Sequence, residues 1–138
     1  MIQRILIAYD GSESADKAYA FALDLAKKYG ADLTVLSVSR PPDFAEEVEM
    51  EAILENSTKH YEKLLANLQK QTVPQEIKPS FAVVVGHPAE QIIYYAEQHH
   101  FDHIVMGHRG KTFFQRLRLG SVSKQVIQYA QCSVTIVR

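Results

Sequence analysis

Five short apolar runs recur along the chain, each bounded by glycine, proline or polar residues. They are ILIAYD (5–10), DLTVLSVS (32–39), PSFAVVVG (79–86), DHIVMG (102–107) and SVTIVR (133–138). Runs this short and this rich in branched side chains predict buried strands. Between them, apolar residues recur at helical spacing. Over 14–29 the positions are Ala15, Ala18, Ala22, Leu25, Ala26 and Tyr29, with Gly30 as a C-terminal stop. Over 43–71, charges alternate with Phe44, Val48, Tyr61, Leu64, Leu65 and Leu68. Over 88–99, Ala89, Ile92, Ile93 and Ala96 share a face, and Pro88 sits where a first helical residue tolerates proline. Over 121–131 the face is Val122, Val126, Tyr129 and Ala130. The prolines of SRPPDFAEEVEMEAILEN (39–56) mark a loop, and its acidic run reads as a solvated helix face.

The order β-α-β-α-β-α-β-α-β predicts an α/β fold: a parallel sheet with right-handed crossovers and helices on both faces. No repeat, low-complexity tract or linker divides the chain, so residues 1–138 read as a single domain. Hydrophobic residues at 46% and charged residues at 22% are those of an ordinary soluble globular protein. A formal charge of -1 argues against a protein that coats nucleic acid. Cys132 is the only cysteine, which removes an internal disulfide and a cysteine-based zinc site and suits a reducing compartment. MIQRILIAYDG reads as a first strand rather than a signal peptide, and no apolar run approaches the roughly 20 residues that span a bilayer. The expectation is a cytoplasmic protein with no membrane partner.

In an open parallel sheet, ligands gather at the carboxyl ends of the strands, where strand order reverses. Three features fall on that edge: YDGS (9–12), the strand end at Val38 and Ser39, and MGHRGKTFFQRLRLGSVS (106–123). The third holds Gly107, Gly110 and Gly120, the basic residues Arg109, Lys111, Arg116 and Arg118, and no acidic residue. Glycines let backbone N–H groups approach an anion, and the helix expected at Ser121 adds free N–H donors and partial positive charge. The reading is a phosphate site near Gly120 and Ser121. Plainer readings stand beside it. Asp10-Gly11-Ser12 is equally a turn that caps the first helix, Ser121 an N-cap, and the basic loop a solvated one.

Gly107-x2-Gly110-x9-Gly120-Ser121 resembles the G-2x-G-9x-G-[S/T] nucleotide motif of the universal stress protein family. The likeness extends through ILIAYDGSESADKA, VVVGHPAEQIIYYAEQHHFDHIVMGHRG and LGSVSKQVIQYAQCSVTIVR. It implies a five-stranded Rossmann-like sheet of order 3-2-1-4-5, usually dimeric, in the ATP-binding subgroup. Asp10 would face the nucleoside and the Val38 backbone the adenine edge. Gly107, Arg109 and Gly110 would line the ribose and α-phosphate, and Gly120, Ser121, Val122 and Ser123 would hold the outer phosphates. The strand-end residues Ala8 and Met106 complete the set. ATP is the expected ligand, with ADP or AMP as alternatives and Mg2+ or Mn2+ bridging phosphates. Two departures are Ala8, where many members have proline, and His108, where a small residue is common.

No Walker A loop and no G-x-G-x-x-G after the first strand is present. His99, His100 and His103 cluster, but no carboxylate joins them at a ligand spacing, so no protein-held metal is expected. No nucleophile–base pair supports covalent catalysis, and no catalytic residue is assigned. The expectation is a nucleotide-binding regulatory protein with slow or no hydrolysis and an unnamed protein partner. The alternatives are a slow ATPase or nucleotidyl-transfer enzyme, or an RNA-binding module using 109–118 with Phe113 and Phe114 as stacking faces. A nucleic-acid partner is not expected. The apolar last strand predicts a homodimer through 133–138, with Val134 and Ile136 at the interface.

Overall fold

The computed structural model describes residues 1–42, 47–72, 77–108 and 119–138. The apolar runs form β1 (Arg4–Ala8), β2 (Asp32–Ser39), β3 (Ser80–Val85), β4 (His103–Gly107) and β5 (Ser133–Val137). The segments between them form α1 (Glu13–Tyr29), α2 (Glu47–Gln71), α3 (Pro88–Gln98) and α4 (Ser121–Tyr129). Every strand pair is parallel and the order is β3-β2-β1-β4-β5, a Rossmann-like α/β sheet as expected. Ile7 at the centre lies opposite both Val35 of β2 and Val105 of β4.

Alternation along the central strands divides the core in two. Ile5, Ile7, Val35 and Val105 face α1 and α2, where they meet Ala15, Ala18, Ala22, Leu65 and Leu68. Leu6, Leu36, Ile104 and Met106 face α3 and α4, where they meet Ala89, Ile92, Ala96 and Val126. Alanine dominates the buried stripe of α1, so that helix can approach the sheet closely. Cys132 packs half-buried against the second cluster.

The helix ends follow their local signals. The Ser12 hydroxyl accepts the Ala15 N–H at the start of α1, and Gly30 ends the helix in the left-handed region at φ 64. Pro88 occupies the first turn of α3. Two details differ from the sequence pattern. β1 stops at Ala8, so Tyr9 and Asp10 lead into a turn at Gly11, whose φ of 83 suits glycine. Tyr29 and Tyr129, read as core-facing, are 58% and 62% exposed, while Tyr19 and Ser123 are buried instead. A tyrosine in a last helical turn keeps its hydroxyl in water. Phe44 and the Val48 side chain lie outside the described residues.

A Cβ at Gly30 would meet nothing within 4 Å, so the cost of a side chain there is conformational alone. Gly30→Ala is expected to lower stability by about 1 kcal/mol, read as a reduced urea midpoint with an unchanged m-value.

Candidate functional site

The carboxyl ends of β1 and β4 are neighbours at the point where strand order reverses. A cavity of about 300 Å³ opens there. It gathers Ala8, Asp10 and Val38 with Met106, Gly107, Ser121, Val122 and Ser123, residues from four separate stretches of sequence. Gly120 caps α4 but does not line the cavity. Arg109 and Gly110 lie outside the described residues, as does the whole 109–118 stretch on which the RNA reading rests.

Hydrogen bonds fix the β1 side. The Tyr9 N–H donates to the Leu36 carbonyl at 2.9 Å, and the Ser37 hydroxyl donates to the Tyr9 carbonyl at 2.6 Å. Asp10 Oδ1 accepts the Ser12 N–H at 2.9 Å, so the DGS turn does cap α1 while Asp10 stays exposed at the cavity. The Tyr9 hydroxyl reaches past the turn to donate to Asp16 Oδ1.

Close approach fixes the β4 side. A Cβ built on Gly107 would lie 2.6 Å from the Ser14 carbonyl oxygen, so only glycine lets the strand end meet the first turn of α1. Beyond it, the His108 N–H donates to the Val137 carbonyl at 2.8 Å, and the Gly120 N–H to the His108 carbonyl at 3.4 Å. Gly120, not Ser121, is the N-cap of α4, and it brings no side-chain oxygen to the first-turn N–H groups. Ser121 is the exposed first helical residue. Ser123 is buried and its hydroxyl donates to the Gly107 carbonyl at 3.3 Å. What Ser123 has left for a ligand is its backbone N–H.

The cavity also takes in Arg40 and Tyr61, which the sequence pattern does not single out, and Tyr9 and Ser12, which it places on this edge without a role at the site. Arg40 directly follows the β2 end, so the strand-end rule could have found it. Tyr61 comes from the middle of α2, and nothing local to it signals the site. Burial, then the hydrogen bond to Asp16, raises the Tyr9 phenol above the ordinary tyrosine value. Burial, then the Asp10 carboxylate, raises that of Tyr61.

The histidines at the other end of the sheet have other contacts. His99 packs on Tyr95 with ring centroids 4.2 Å apart. His103 Nε2 lies 2.7 Å from Thr135 Oγ1, and burial pushes its imidazole down. Among the described residues, no three His, Cys, Asp or Glu side chains group as a metal site. No described helix is long and apolar enough to cross a membrane.

The Universal stress protein family model matches residues 1–138. A universal stress protein of Thermus aquaticus is 39% identical over 140 aligned residues, covering 100% of both chains. The universal stress protein UspA from Lactobacillus plantarum matches with TM-score 0.84 and 26% identity, over 99% of this chain and 98% of that one. The universal stress protein from Archaeoglobus fulgidus solved with dAMP matches at TM-score 0.65 and 20% identity, over 100% of both chains. At that identity it is a likeness of fold.

Tyr9, Tyr19 and Tyr61 are all raised above the ordinary value of 10.0, with burial as the leading cause. The folded chain therefore keeps protons that the unfolded chain releases above pH 10. Stability is full below that pH and falls as pH rises through the window, by about 1.4 kcal/mol per pH unit for each retained proton. Urea unfolding at stepped pH above 10 should show this decline. Tyr9→Phe should make it shallower by one proton.

Proposed function

The chain belongs to the universal stress protein family, and from that premise we propose that the cavity between β1, β4 and α4 binds an adenine nucleotide. ATP is the ligand of this reading, bound by a cytoplasmic stress-response regulator, with ADP or AMP as its alternatives. The observation that carries it is the donor set gathered at the switch point. Apolar walls at Leu36, Val38 and Ile92 suit a base, and the Asp10 carboxylate suits hydroxyl donors of a ribose. The glycine-capped start of α4, with Ser121 and the N–H groups of Val122 and Ser123, suits phosphate oxygens. Arg109 and Gly110 join this set through the motif. A Mg2+ or Mn2+ ion would neutralise phosphate charge, held by phosphate oxygens. The Archaeoglobus fulgidus complex with dAMP and another universal stress protein solved with cAMP, 23% identical, agree with the ligand class.

Binding is favoured over turnover. Hydrolysis needs a group that orients the attacking water. Asp10 is the one carboxylate among the described lining residues, and in this reading it faces the nucleoside rather than the terminal phosphate. The Tyr9 hydroxyl is committed to Asp16. ATP in this reading selects a conformation that a protein partner recognises, with slow or no hydrolysis. Calorimetric titration with Mg-ATP should give saturable one-to-one binding. The Gly120→Val, Ser121→Ala double variant should lose tenfold or more, roughly the loss of one or two charge-assisted hydrogen bonds. A well-folded native chain that gives no heat would overturn the reading.

Homodimerisation belongs to the same proposal. β5 is an edge strand whose half-buried Val134 and Ile136 would be covered by the β5 of a second copy. Light scattering at micromolar concentration should give the mass of two chains, and a one-chain mass would refute the dimer.

A further inference from the structure

A second cavity, of about 360 Å³, lies between α1, the carboxyl end of α2 and the approach to β3. Its size is within the range of small-molecule sites. Leu23, Leu68 and Ile77 form its apolar walls. Its polar groups are Asp16, Tyr19, Gln71 and Thr72, with no basic side chain among the described lining residues.

Proton accounting gives the cavity a sign. The Thr72 hydroxyl donates its one proton to the Leu68 carbonyl at 2.8 Å. The 2.7 Å contact between Tyr19 and Thr72 therefore has Tyr19 as donor, which leaves the Tyr19 oxygen with lone pairs to accept. Asp16 Oδ1 accepts from Tyr9, and Oδ2 has no hydrogen bond among the described residues. Apart from the Gln71 amide, which can do either, the described lining residues offer acceptors, and the one charge among them is negative.

We propose that this cavity is a binding site for a small organic cation, its ammonium group on Asp16 at the rim and its apolar body between Leu23, Leu68 and Ile77. An ammonium has three donors and no acceptor, which complements this lining. The site is independent of the nucleotide reading, although the two cavities meet at one hydrogen bond: Tyr9 lines the first, and its hydroxyl holds the carboxylate of the second.

The test is an NMR titration of the full chain, without nucleotide and at low ionic strength. The probes are 2-phenylethylammonium, the neutral 2-phenylethanol and the anionic 3-phenylpropionate. The cation should shift the methyl signals of Leu23, Leu68 and Ile77 saturably. Because Asp16 is exposed, it should bind only about three- to fivefold tighter than the alcohol. The anion should bind more weakly than the alcohol. Asp16→Asn should bring the cation down to the affinity of the alcohol and leave the alcohol unchanged, which also reports that the cavity is intact. The absence of saturable shifts at those methyls, a cation no tighter than the alcohol, or a preference that survives in Asp16→Asn would overturn the proposal.

Discussion

The end of β4 touches the first turn of α1 with no room for a side chain between them. A Cβ at Gly107 would sit 2.6 Å from the Ser14 carbonyl oxygen and closer still to the Ser14 hydroxyl. Moving that strand end outward would move what is attached to it. The Gly107 carbonyl accepts the Ser123 hydroxyl and so anchors the first turn of α4. The next residue, His108, ties β4 to the end of β5 and to the Gly120 cap. One missing methyl group thus sets the distance between the β1 turn and the start of α4, and with it the width of the cavity at the switch point.

Tyr9 is the second fixed point. It follows β1 rather than belonging to it, yet its backbone is held on both sides, by Leu36 and by Ser37. Only 6% of its surface is exposed, and its ring meets that of Tyr19 edge-on at 6.3 Å. A buried phenol needs a partner for its proton, and Asp16 provides it. This single contact fastens the turn after β1 onto α1, and it forms the boundary between the two cavities.

Much of this was legible in the sequence because the signals were local. Continuous apolar runs gave the strands, helical spacing gave the buried faces, and Gly30 and Pro88 marked helix ends that the structure keeps. The strand-end rule alone brings together Asp10, Val38, Gly107 and Ser121. What escaped was set by distance. Tyr61 lies on α2, and only the packing of that helix against the sheet brings it beside Asp10. The Ser123 hydroxyl is bonded to a carbonyl sixteen positions earlier, a partner that no local pattern signals. Tyr29 and Tyr129 fit the helical stripe by spacing, but spacing at a last turn does not say whether the sheet still lies beneath it.

The charges in the first cavity also impose a direction on any ligand. Asp10 stands at the β1 end and contributes to raising the phenols of both Tyr9 and Tyr61, so its negative field is felt through that end of the cleft. The start of α4 lies at the other end, with no acidic residue in its first turn and a glycine cap that leaves its N–H groups to be satisfied from outside. A phosphate at the Asp10 end would meet repulsion, whereas a sugar hydroxyl there would find an acceptor. A phosphate at α4 would find donors and a favourable dipole. In the proposed reading, an acidic β1 end and a donor-rich α4 end would favour one orientation of a hydroxyl-bearing, anion-tailed molecule, with Arg40 as the one basic side chain among the described lining residues.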